Sequence, residues 1–154
     1  MKINITVEIP KKSNIKYEIN EKGQLCVDRI LFSSYCYPQN YGFIPKTLDD
    51  DGDPLDVILI ADHSFPSKTI VPSRIIGALE MIDDGEIDHK LIAVIDCDPR
   101  YKSINKLEDL DPWLLTEIKD FFSNYKKLEN KITKIGDFLD IKKAIQIYNK
   151  CLKK

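Results

Sequence analysis

The chain has 154 residues, of which 43% are hydrophobic and 31% charged, a composition that excludes a disordered chain and is long enough to bury a core without staples. Lys and Arg number 23 against 25 Asp and Glu, a formal net charge of -2, so no global basic excess advertises a nucleic acid partner and any bound anion must be met locally. A single domain over residues 1–154 is the expectation.

The opening "MKINITVEIP" alternates apolar and polar residues as a strand does and lacks the long apolar run of a secretory signal. No stretch approaches the length of a membrane span, so a cytoplasmic protein with no membrane partner is expected. "IKYEI", "LCVDRIL", "DVILIA", "SRIIGALEMI" and "KLIAVID" continue the pattern between turn residues, which predicts a mainly β core built as a barrel or sandwich. "VILIA" is apolar at every position and suits a strand covered on both faces.

Just before that run, "DDDGDPLD" places five carboxylates in the eight positions from Asp49 to Asp56. Gly52 permits an unusual turn and Pro54 pushes Asp53 toward an extended backbone, so Asp51, Asp53 and Asp56 can converge at the mouth of a strand. Like charges that close repel unless some are protonated or cations sit among them. An EF-hand fails, because aligning its glycine with Gly52 puts Thr47 at the first ligand position and Ile58 at the bidentate glutamate. A solvated acidic turn is the bland alternative. A second acidic turn, "MIDDGEIDHKLI", shifts the balance, since Asp83 and Asp88 would face Asp51 and Asp56 across one barrel mouth. All-oxygen ligation favours a hard cation, Mg²⁺ or Mn²⁺ before Zn²⁺. Lys16, Arg29, Tyr37 and Tyr41 supply donors for a phosphate-rich anion beside such ions.

After Pro112 the spacing becomes helical. Trp113, Leu114, Ile118, Phe121, Phe122, Tyr125 and Leu128 fall near one stripe, with Asp111 as N-cap, and a second amphipathic segment runs from about Asp140 to Leu152. Cys26, Cys36, Cys97 and Cys151 form no metal or disulfide pattern and are expected to be reduced, most of them in the core. His63 and His89 have no ligand partners at metal spacing and are expected to be satisfied or solvated rather than catalytic.

"DGDPLDV" resembles the D-x-D-P-apolar-D signature of the family I soluble inorganic pyrophosphatases, of the shorter prokaryotic type. "VEIP", "IKYEI", "VDR", "YPQNYGFIP", "GALEMIDDGEIDHKLIAV" and "FFSNYKKLE" are similar to that family's blocks and stand in its order from about Ile5 to Glu129. The resemblance implies an α+β fold with a five-stranded OB-like barrel and flanking C-terminal helices. It implies metal-dependent hydrolysis of pyrophosphate to two orthophosphates by a metal-activated water. Asp51, Asp56, Asp83 and Asp88 would bind the metals, Mg²⁺ usually and Mn²⁺ as a substitute. Asp53 would accept the proton, and Lys16, Arg29, Tyr41 and Tyr125 would hold the phosphates. Glu8, Glu18, Tyr37, Lys90 and Lys126 match auxiliary positions. A cytoplasmic homohexamer is also implied. The chain departs from the family pattern at Asn20, at Ile95 and Asp96 where proline is usual, and at Phe138 near a frequent tryptophan.

Two other functions fit parts of the sequence. One is an OB-type module stacking single-stranded nucleic acid on Tyr35, Tyr37, Tyr41 and Phe43, although such grooves are normally basic. The other is a cation-binding protein without turnover, which leaves Lys16, Arg29 and Lys126 unexplained.

Overall fold

A computed structural model describes residues 1–153. In chain order the strands are β1 (Lys2–Ile9), β2 (Ile15–Ile19), β3 (Leu25–Ile30), β4 (Asn40–Phe43), β5 (Asp56–Ile60), β6 (Ile70–Asp83), β7 (Glu86–Ile87) and β8 (Lys90–Ile95); helix α1 (Pro112–Asn124), strand β9 (Thr133–Leu139) and helix α2 (Ile141–Cys151) complete the order. β1 pairs with β4, β4 with β5, β5 with β8, β8 with β6, and β6 returns to β1, so five strands close the expected OB-like ring. Only the β5–β8 joint within it is parallel. β6 spans 14 residues, and register irregularities at Ile75–Gly77 and Leu79–Met81 accompany its passage from the ring to a further partner, β9. β2 and β3 form a separate hairpin.

The apolar run in β5 is covered on both faces, as its sequence predicts. Val57 and Leu59 join one buried cluster while Ile58 and Ile60 join another, the period-2 division of a pleated strand. β8 divides likewise, with Leu91 and Ala93 on one side and Ile92 and Val94 on the other. α2 adds Ala144 and Cys151 to the first cluster, and α1 adds Ile118, Phe121 and Phe122 to the second. Each fully buried aliphatic side chain contributes about 1.5–3 kcal/mol. Asp111 caps α1 by accepting from the Trp113 N–H at 2.9 Å, and Asp140 caps α2 through Lys143 N–H at 2.9 Å.

Two expectations are corrected. The helical stripe does not bury its ends: Trp113 and Leu128 are exposed, because Trp113 stands on the first turn of α1 and the helix stops at Asn124 before a 3₁₀ turn carries Leu128 away. Most cysteines are not core residues either. Cys26, Cys36 and Cys97 are exposed and only Cys151 is buried; Cys26 lies on β3, where Leu25, Val27 and Ile30 are exposed as well. His89 is satisfied as expected, its Nδ1 accepting from the Met81 N–H at 3.1 Å. At the family-divergent positions, Ile95 ends β8 buried and Asp96 pairs with Arg74 at 2.8 Å.

Candidate active site

Parallel pairing of β5 and β8 sets Val57 against Leu91, so the preceding residues, Asp56 and Lys90, start their strands side by side. Lys90 Nζ lies 2.8 Å from Asp56 Oδ2 and 2.7 Å from Asp88 Oδ2. β6 ends at the same rim with Asp83, whose carboxylate accepts from Lys126 Nζ. The link to β7 is a tight turn with positive φ at both Asp84 (50°) and Gly85 (87°), the geometry that Asp-Gly favours in hairpins.

The other acidic segment reaches the rim through a closed loop. The Asp49 N–H donates to the Asp53 carbonyl at 2.8 Å, the Gly52 N–H donates to the Asp49 carbonyl at 3.0 Å, and the Asp53 N–H donates to Asp51 Oδ1 at 3.0 Å. Gly52 turns the chain at φ 86°, a left-handed conformation that side chains resist. These segments line a cleft of about 660 Å³. Asp51, Asp53, Asp56, Asp83 and Asp88 all face it, as do Glu8, Lys16, Glu18, Tyr37, Tyr41, Lys90, Tyr125 and Lys126. A smaller recess of about 220 Å³ adjoins it, sharing Asp51, Asp83, Asp88 and Lys126 and adding Asp84, Glu86 and Lys131.

Arg29 is the sequence-predicted residue that does not line this cleft. It lies nearby, against Asp28 at 2.5 Å and with Nε 2.9 Å from Glu129 Oε1. Lys16 bridges to the same group, 2.9 Å from Glu18 and 3.4 Å from Asp28. Glu8 accepts from the Ile19 N–H at 3.1 Å and thereby ties the β2–β3 hairpin to β1.

An aromatic bed underlies the cations. Tyr37 packs 4.6 Å from Phe121, which stacks on Tyr125 at 5.0 Å, and Tyr41 lies 5.9 Å from Phe122. Lys90 Nζ sits 5.4 Å from the Tyr41 ring centre and Lys126 Nζ 5.4 Å from that of Tyr125, distances at which a ring face attracts a cation. Burial pushes the phenols of Tyr37, Tyr41 and Tyr125 above their ordinary range, so all three stay neutral donors. Burial opposes charge on Lys90, only 2% exposed, but Asp56 and its other neighbours outweigh that and raise its pKa. Burial also lifts Asp51 to about 6, with Asp88 and Asp56 adding to the rise, and Glu8 to about 7.

A hard divalent cation suits these residues. Asp83 Oδ1 and Asp88 Oδ1 are buried without a hydrogen-bond partner, and an orphaned carboxylate oxygen in such a place calls for a ligand. The donors are all oxygens, the set that magnesium and manganese prefer. Oxygens of Asp49, Asp51 and Asp88 fall within 4.8 Å of one another. Asp49 belongs to the acidic stretch, and residue spacing alone does not single it out as a member of this group. Nor does spacing single out Glu129, the counter-charge of Arg29, although "NYKKLE" ends on it. The stacking surface proposed for nucleic acid is not available: Tyr37 and Tyr41 are buried.

The sequence profile described as inorganic pyrophosphatase matches residues 5–154. An inorganic pyrophosphatase of Malacoplasma penetrans is 59% identical over 153 residues, covering 99% of this chain and 84% of its own length. That of Campylobacter jejuni is 46% identical over 99% of this chain and 91% of its own. Among solved structures, the inorganic pyrophosphatase of Helicobacter pylori superposes with a TM-score of 0.95 at 41% identity, over 98% of this chain and 91% of that one. The Thermus thermophilus enzyme gives 0.95 at 34%, over 98% and 89%.

Proposed function

From its membership of the inorganic pyrophosphatase family, to which the chain belongs and which makes it a hydrolase of pyrophosphate, we propose that turnover here depends on divalent metal, with Asp53 as proton acceptor. The observation that carries this reading is the convergence of Asp51, Asp56, Asp83 and Asp88 on one cleft, with buried carboxylate oxygens left unpaired. Those four would hold the ions, Mg²⁺ by preference and Mn²⁺ as a substitute. Bound there, such ions supply positive charge for the phosphoryl oxygens and lower the pKa of a coordinated water from about 15.7 toward neutrality.

The protein's own groups do the rest. Asp53 stands exposed on the loop beside Asp51 and takes the proton released as a water oxygen bonds to phosphorus. The bridging P–O bond breaks, and its electron pair leaves on the departing orthophosphate. Lys16 and the hydroxyls of Tyr41 and Tyr125 hold phosphate oxygens and offset their growing charge, and Arg29, beside the cleft and paired with Asp28 and Glu129, joins them by swinging out of that pair. Tyr37 packs beneath them as part of the aromatic bed. Lys90 and Lys126 hold Asp56, Asp88 and Asp83 in place, while Glu8 anchors the hairpin that presents Lys16 and Glu18 accepts from the Lys16 ammonium. A cytoplasmic homohexamer belongs to the same proposal, and light scattering on the purified chain checks its mass.

Phosphate release from pyrophosphate, from ATP and from a phosphate monoester, each with and without Mg²⁺, tests the reading. Pyrophosphate is expected to be the preferred substrate, with activity lost to a chelator and restored by Mg²⁺. Hydrolysis that survives exhaustive chelation sinks the metal-dependent part.

A further inference from the structure

We infer that Asp49 is a further cation ligand, forming with Asp51 and Asp88 a three-carboxylate subsite at the closed acidic loop. This rests on the metal-dependent reading above and adds a residue outside the signature D-x-D-P-apolar-D.

Proximity is the first observation: one oxygen from each of the three side chains lies within 4.8 Å of the others. Carboxylate oxygens sharing a magnesium ion at about 2.1 Å are at most about 4.2 Å apart, so small side-chain rotations bring all three onto one ion. The second observation is independent of clustering. Asp88 is only 8% exposed, Lys90 occupies its Oδ2, and its Oδ1 is buried with no hydrogen-bond partner. A carboxylate oxygen withdrawn from water and left unpaired is costly, a cost that an ion within reach removes.

Asp49 is also held for the task. Its Oδ1 accepts from the Asp50 N–H at 2.8 Å, and the buried Cys151 thiol lies 3.7 Å from the same atom. The Leu48 N–H donates to the Cys151 carbonyl at 2.7 Å, and Thr47 pairs with Leu152. The end of α2 therefore fixes the backbone on the N-terminal side of Asp49, while the Asp49–Asp53 hydrogen bond fixes it on the other. These contacts hold the Asp49 carboxylate at its place beside Asp51 and Asp88.

The test is equilibrium Mn²⁺ binding to the metal-stripped full chain, read by the electron paramagnetic resonance signal of free Mn²⁺, with no substrate present. Asp49→Asn keeps the amide oxygen that caps Asp50 and removes the charge. It is expected to weaken one class of site by about tenfold or more, with the secondary structure unchanged by circular dichroism. Asp50→Asn is the control for general field effects, because Asp50 is exposed and faces Lys150 at 3.8 Å; it is expected to bind like the parent. The inference is overturned, with the metal-dependent reading intact, if Asp49→Asn titrates like the parent while Asp88→Asn loses binding. It is overturned in the same way if Asp50→Asn weakens binding as much as Asp49→Asn. A parent chain that binds no Mn²⁺ overturns both.

Discussion

The two acidic turns, Asp49–Asp56 and Asp83–Asp88, are built alike and balanced differently. Each carries a glycine at positive φ, ends on an aspartate and runs into an apolar strand, and parallel pairing of β5 with β8 sets them on one rim. The second turn has counter-charges from the chain itself, since Lys90 meets Asp88 and Lys126 meets Asp83. In the first, Asp56 shares Lys90 and the exposed Asp50 lies 3.8 Å from Lys150, but Asp51 meets no lysine among the described residues and is lifted to about 6 by burial and by its acidic neighbours. The turn whose cleft-facing Asp51 has no internal cation is thus the one that most needs external ones, and the turn held by Lys90 and Lys126 acts as its fixed wall.

The sharpest way to separate the two turns is Asp53→Asn. If the loop supplies the proton acceptor, kcat falls by about 10²–10⁴-fold, the usual worth of general-base catalysis, while Mg²⁺ affinity measured by calorimetry stays within a few-fold. Asp56→Ala is expected to show the opposite balance, and a variant that binds Mg²⁺ as tightly as the parent removes Asp56 from the ligand set.

Lys90→Met probes the wall. It leaves the half-buried Asp56 and the buried Asp88 without their cation, a loss worth about 3–5 kcal/mol of stability in metal-free buffer, with part of it recovered on adding Mg²⁺. Denaturant midpoints with and without the ion give the answer. An unchanged midpoint means that the wall does not depend on its lysine, and the contrast between the turns fails.

Glu8 faces the under-balanced side. Its folded pKa of about 7 lies above the ordinary 4.5, burial being the main cause and Asp56 adding to it. Between those values the folded chain holds a proton that the unfolded chain has released, so stability falls as pH rises through the window. The effect is about 3 kcal/mol at most by the worth of a pKa unit. Glu8→Gln is expected to flatten the change in melting temperature between pH 5 and pH 8 in metal-free buffer. A parent chain already flat over that range contradicts the assignment.

The smallest expected effect is a matched pair, Gly52→Ala and Gly85→Ala. No atom would meet the added methyl at either place, so each costs only its left-handed backbone, about 1–2 kcal/mol. The melting temperatures should drop alike, but Mg²⁺ affinity should fall for Gly52→Ala alone, because no lysine among the described residues holds Asp51 in its place.

Much of this arrangement was legible in the sequence because it follows local rules. The period-2 pattern of β5 and β8, the Asp-Pro start of α1, and the two acidic turns at strand mouths each carry their own signal. What escaped depends on partners far along the chain. β9 reads "TKIGDFL", with Gly136 and Asp137 interrupting any alternation, and it is a strand only because the bent half of β6 offers it hydrogen bonds. β4, "NYGF", has only four residues, too few for an alternating pattern to mark it as a strand. The closeness of Asp49 to Asp88 comes from loop closure and from the end of α2, neither of which residue spacing encodes. The distance of Arg29 from the cleft wall follows from its pairing with Glu129, 100 positions away in sequence.

The seam between β1 and β6 has a kinetic consequence. It joins Lys2 to Arg74 and Thr6 to Ile70, so the ring closes only when segments more than sixty residues apart find each other. Loop-closure entropy rises slowly with length, yet it must be met before such contacts repay it, which places barrels of this kind among slow-folding topologies. A refolding chain will therefore hold its short β2–β3 hairpin and its helices well before it possesses a rim able to gather ions, and regain of catalysis should lag behind regain of helical signal.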